Sequence, residues 1–283
     1  MTGLDCKELR DDGVSFEEGT SLRHIEWTND GQVLTVGARE GDIYTYLASL
    51  PSIYGCFESR VVRLSSLLEL SVEDHFSERT TVKVPIETEP AYVGLGPLPV
   101  AVGMNTQAWI YQYDMTDETG KLVNKKEYLG TVDTIKLNER FAAVLSEGRI
   151  QIHPIVEEDD ETEDRAITLP SNGAHPEATC MCLCGDFLIN GTARGNIHYF
   201  NVFEGQSVNE FKQDGGAIRK IYANEIGTRL IFEDDQHVVQ MYNPVNDQVL
   251  PVPEFFGTLE AALWDSCDRH VFVLVDEKNY NVY

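Results

Sequence analysis

The stretch LTVGAREGDIYTYL (34–47) has the grammar of a β-hairpin, and the chain writes that hairpin more than once. INGTARGNIHYF (189–200) repeats it, with Gly37 matching Gly191, Gly41 matching Gly195, Ile43 matching Ile197 and Tyr46 matching Phe200. LSEGRIQIH (145–153) is a third echo. A repeated unit that cannot bury both its own faces must stack on its neighbours, so this self-similarity constrains the fold before anything else does. With Ile43 as marker, the counterparts are Trp109, Ile150, Ile197, Val238 and Tyr280, at intervals of 66, 41, 47, 41 and 42. All but the first fall near the ~40–45 residues of a four-stranded propeller blade. The long first interval implies an insertion around residues 49–90.

Each cycle reads in the same order. In the first, LRHIEW alternates, TNDG turns, QVLTVGA is apolar, REG turns and DIYTYL alternates again. Asn-Asp-Gly is strong turn chemistry, since Gly takes positive φ freely and Asn or Asp tolerates it. The middle strand of each cycle (PLPVAVGM, RFAAVLSE, DFLINGTA, TRLIFEDD, HVFVLVDE) is the most apolar, as expected of a strand buried on both faces. VVRLSSLLELSV (61–72), NKKEYLG (124–130) and VNEFKQD (208–214) are candidate outer strands. Helical periodicity is almost absent. The expected fold is all-β: a β-propeller of six recognisable four-stranded blades in one domain spanning 1–283, whose radial stacking buries each face and leaves only short edges. The sixth cycle stops at its third strand, at Tyr283. DGVSFEE (12–18) would supply the missing fourth strand and close a six-bladed ring; alternatively the chain is a piece of a longer protein and a seventh blade is missing.

Lys plus Arg number 22 and Asp plus Glu 47, a net charge of −25. Phosphate backbones and anionic lipid surfaces repel such a chain, so nucleic acid and direct membrane insertion are not expected. The acidity fits either protein partners with basic patches or a surface kept soluble by charge. No apolar run approaches the ~18 residues of a membrane helix. The start, MTGLDCKELRDDG, has neither a basic n-region nor an apolar h-region, so nothing in it suggests secretion. Six cysteines in a long chain of this kind fit a reducing compartment better than a disulfide framework.

The remaining motifs are weak as chemistry. CMCLC (180–184) sets three thiols at every second position, hence on one strand face, and no second pair completes a zinc site. These are expected to be buried as small apolar groups. EEDDETED (157–164) is an acidic loop, and Glu157, Glu158, Asp159 and Asp160 are its candidate contacts for a basic partner, against the reading of a solvated loop. The Gly-x-Gly of VGLGPLPV (93–100) is followed by no helix, so it does not read as a phosphate cradle. The sequon NGT (190–192) lies in an expected buried strand. No HExxH pair and no local catalytic triad is present, and no cofactor or metal is expected. A propeller enzyme would need His, Asp and Glu converging from its first strands, where the sequence offers mostly apolar and small residues, with scattered exceptions such as His24, Glu26 and Asp133.

LASLP (47–51), SSLLELSV (65–72), AVGMNTQAWIY (101–111), EYLGTV (127–132), GDFLINGT (185–192), GTRLIFED (227–234), YNPVNDQ (242–248) and AALW (261–264) occur in order across most of the chain. Through them it resembles the WD-repeat and tetratricopeptide subunits of intraflagellar transport complex A, specifically the second of their two N-terminal propellers. Trp264-Asp265, the one WD pair, ends a first strand instead of a third, a departure from the usual WD signature. The resemblance implies a WD-repeat propeller that is not an enzyme: a scaffold or adaptor in a train that moves along ciliary microtubules. It further implies retrograde transport by dynein, entry of membrane-protein cargo, other complex A subunits and cargo adaptors as partners, and a location in the cilium or flagellum and at the basal body, on the cytoplasmic side. It also implies that the propeller continues past Tyr283. A vesicle-coat subunit, which shares the propeller-plus-helical-repeat plan, is the alternative, and a propeller enzyme with a site in its central channel a more distant one.

Overall fold

The computed structural model describes residues 20–29, 31, 33–47, 52–76, 80–156, 166–170, 177–213, 215–255 and 257–283. Among them the chain forms 26 strands in seven antiparallel sheets, and no helix long and apolar enough to cross a membrane. Sheet I holds β1 (Leu22–Trp27), β2 (Val33–Ala38) and β3 (Ile43–Leu47). Sheet II holds β4 (Tyr54–Phe57), β5 (Arg60–Ser66), β6 (Glu69–Asp74) and β7 (Thr81–Pro85). Sheet III holds β8 (Tyr92–Leu95), β9 (Pro99–Met104), β10 (Gln107–Asp114) and β11 (Thr119–Glu127). Sheet IV holds β12 (Val132–Leu137), β13 (Phe141–Ser146), β14 (Arg149–Pro154) and β15 (Ile167–Leu169). Sheet V holds β16 (Ala178–Cys184), β17 (Phe187–Thr192), β18 (Asn196–Asn201) and β19 (Ser207–Lys212). Sheet VI holds β20 (Ile218–Ala223), β21 (Leu230–Asp234), β22 (Val239–Asn243) and β23 (Gln248–Pro251). Sheet VII holds β24 (Ala261–Trp264), β25 (Phe272–Val275) and β26 (Tyr280–Val282). The chain divides into two compact units, Met1–Pro51 and Ser52–Tyr283.

Six cycles become seven sheets because the span read as an insertion around 49–90 is itself a four-stranded sheet, sheet II. VVRLSSLLELSV, expected as one outer strand, is two strands, β5 and β6, that turn back on each other at Leu67-Leu68. That turn has no Gly, Asn, Asp or Pro, so local turn chemistry did not mark it. NKKEYLG overlaps the end of β11, and VNEFKQD matches β19. Sheet VII has three strands, as expected for the last cycle. DGVSFEE and EEDDETED lie outside the described residues.

In the second unit the first strands of successive sheets lie against one another in order: β4 on β8, β8 on β12, β12 on β16, β16 on β20 and β20 on β24. From sheet III to sheet VI the second strands are the most buried, and their two faces serve two different interfaces. On β13, Ala142 and Val144 pack toward sheet III while Ala143 and Leu145 pack toward sheet V. On β17, Leu188 faces sheet IV and Ile189 faces sheet VI. On β21, Leu230 and Phe232 face sheet V and Ile231 faces sheet VII. Successive strand residues point to opposite faces, so an unbroken apolar run is what two-sided burial demands. The core is thus a series of layers between sheets.

The Gly-x-Gly of VGLG serves this stacking. A Cβ on Gly94 would sit 2.7 Å from the Ile135 carbonyl oxygen, and one on Gly96 2.9 Å from Leu137 Cβ. Sheet III can approach β12 only where side chains are absent.

Candidate functional site

In an antiparallel sheet successive turns alternate between ends. Within the second unit this places two sets of connections on two rims. Turns between first and second strands and between third and fourth strands form one, the hairpin rim. Turns between second and third strands share the other with the crossovers to the next sheet, the crossover rim.

The hairpin rim has a repeated construction. An Asx side chain at a strand end accepts the backbone N–H two residues on: Asp74 from Phe76 (2.9 Å), Asp114 from Thr116 (2.7 Å), Asn138 from Arg140 (2.9 Å), Asn201 from Phe203 (2.9 Å), Asn243 from Val245 (3.1 Å) and Asp265 from Cys267 (2.8 Å). Every sheet from II to VII contributes one. This closed ring replaces water as the partner of the turn amide and fixes the direction of the third residue. That residue points outward: Phe76 is 91% exposed, Phe203 46% and Val245 79%. Arg140 lies over the Phe203 ring at 5.2 Å, and Phe203 meets Phe141 edge-on at 5.1 Å. Asn224 shapes the wider turn of sheet VI by accepting from Arg229 N–H (3.0 Å), with Ile226 51% exposed at its tip.

Several buried polar groups elsewhere are consumed by structure, while Asn190 Oδ1, Asn196 Oδ1, the Tyr199 hydroxyl and Gln213 Oε1 are buried without a hydrogen-bond partner. His153, 1% exposed, donates from Nδ1 to the Pro154 carbonyl (2.9 Å) and accepts at Nε2 from the Tyr128 hydroxyl (2.8 Å). Burial pushes its pKa down to about 4, with the Pro154 carbonyl opposing the shift, so the ring is neutral. Glu233, also 1% exposed, accepts from His237 Nδ1 (2.9 Å) and Leu259 N–H (3.3 Å), with Lys220 Nζ at 3.8 Å. Lys220 also donates to the Leu259 carbonyl, so this trio fastens the crossover between sheets VI and VII. Arg60 donates to the Pro97 carbonyl and to the Tyr113 hydroxyl (3.2 Å) and lies 3.7 Å from Asp74, bridging sheets II and III.

The three thiols of CMCLC fall on one face of β16, against sheet VI, while Met181 faces sheet IV. Burial raises the Cys180 thiol to about 12, and the Cys184 hydrogen bond and burial raise Cys182 well above the ordinary range. Neither supplies a thiolate at neutral pH. His24 and Glu26 lie on exposed β1, paired at 3.3 Å beside a shallow open depression lined by Glu26, Trp27, Thr28, Asn29 and Thr35. Asp133 is the extra residue of a β-bulge in β12 and accepts from Glu147 N–H (3.3 Å), so it clamps a turn. Among the described residues no three His, Cys, Asp or Glu side chains gather as a metal site. Glu157, Glu158, Asp159 and Asp160 lie outside the described residues, between β14 and β15.

The outward apolar residues of the hairpin rim escaped the sequence reading. Their signal is an apolar residue two positions after Asn or Asp inside a turn, as in NVFEG, NEIG and NPVND.

A family model described as the WDR19 second beta-propeller matches residues 61–283. WD repeat-containing protein 19 of Mus musculus and that of Homo sapiens are each 34% identical over 286 residues, covering 99% of this chain and 21% of their own length. WD repeat-containing protein dyf-2 of Caenorhabditis elegans is 25% identical over 280 residues, 90% of this chain and 20% of its own. The chain therefore spans about a fifth of the curated relatives it matches. Among solved structures, the computationally designed Ika8 protein aligns with TM-score 0.58 at 12% identity, covering 93% of this chain and 83% of that one. A chain of the mitotic checkpoint complex aligns with TM-score 0.57 at 13% identity, covering 82% and 74%. At such identities the two likenesses bear on the fold alone.

Proposed function

The chain belongs to the family of WDR19 second β-propellers, and from that premise we propose that it serves as a non-enzymatic scaffold within a subunit of intraflagellar transport complex A. The observation that carries this is the match to two WD repeat-containing protein 19 sequences over 99% of this chain. The structure supports it in one respect: outward-facing turns held by Asx hydrogen bonds crown a stack of sheets in which the buried ionisable groups His153 and Glu233 are engaged in packing contacts. In this reading the partners are other complex A subunits and adaptors for membrane-protein cargo. The location is the cilium and basal body, on the cytoplasmic side, and the work is retrograde transport and cargo entry. The hairpin grammar common to both compact units supports reading 1–283 as one propeller domain, and the run Glu157, Glu158, Asp159, Asp160 is a proposed contact for a basic partner.

The test is cross-linking mass spectrometry of the chain mixed with the reconstituted remainder of complex A. Cross-links gathered on one rim are the expected result. A folded, monodisperse chain that yields none overturns the scaffold reading.

A further inference from the structure

We draw no further inference here: the strongest candidate, the apolar face of sheet VII turned away from sheet VI, on which the strand register lines up Leu263, Val273 and Val282 and, beside them, Val275 and Tyr280, carries none, because nothing in the structure shows what covers it.

Discussion

At His153 burial, and not charge pairing, sets the protonation state. Its ring is neutral, walled in by Tyr128 and the Pro154 carbonyl, with a pKa near 4 against the usual 6.5. The unfolded chain therefore binds a proton that the folded chain refuses between pH 6.5 and 4. Stability from this group is complete above pH 6.5 and falls as pH drops toward 4. By pH 5 the loss is about 2 kcal/mol. Urea midpoints at pH 7 and pH 5, compared between wild type and His153→Gln, isolate it; the wild-type chain should lose more. Equal losses would mean the ring is solvated in the folded state. At Gly94 the constraint is space. Gly94→Ala pushes a methyl into the Ile135 carbonyl and should cost about 1–3 kcal/mol, read as a lower urea midpoint at unchanged slope. A neutral outcome would mean that β8 and β12 stand further apart than the Cβ geometry requires.

Within a strand, alternation decides accessibility, and β16 is the clearest case. Cys180, Cys182 and Cys184 share the face packed on sheet VI, whereas Cys56 and Cys267 are exposed. A thiol reagent applied to the native chain should modify Cys56 and Cys267 first and reach the β16 thiols only on unfolding. Peptide mapping of the modified sites checks this, and early labelling of Cys182 would contradict the packing of sheets V and VI. That face was legible in the sequence because period-2 spacing needs no tertiary information. So were the buried second strands and the Asn-Asp-Gly turn after β1. Sheet II was not legible as a sheet: its central turn is Leu67-Leu68, which carries no local signal, and only the pairing of β5 with β6 reveals it. The outward residues of the hairpin rim were half legible. Asn and Asp mark turns in any sequence, but which neighbour they push into solvent depends on a hydrogen bond between side chain and backbone that spacing alone does not show.

At the scale of the molecule, stability follows the layers between sheets. In a stacked architecture each sheet is held by its neighbours, so its resistance to opening tracks the apolar surface it shares. The second unit has continuous layers from sheet III to sheet VII, lined by fully buried Ile110, Leu188, Ile189, Phe232 and Leu274. In the first unit β1 is exposed along its whole length, and Val36 is the one buried side chain among the described residues of sheet I. Hydrogen exchange of the isolated chain should therefore release the amides of β1 and β2 at least about tenfold faster than those of β13, β17 and β21. Peptides covering 22–38 and 141–192 report the two regions in one experiment. Equal protection would require that Leu22, Ile25 and Trp27, all exposed here, be covered in solution. In that event the protection should depend on protein concentration if a second copy covers them, and not if the chain covers them itself.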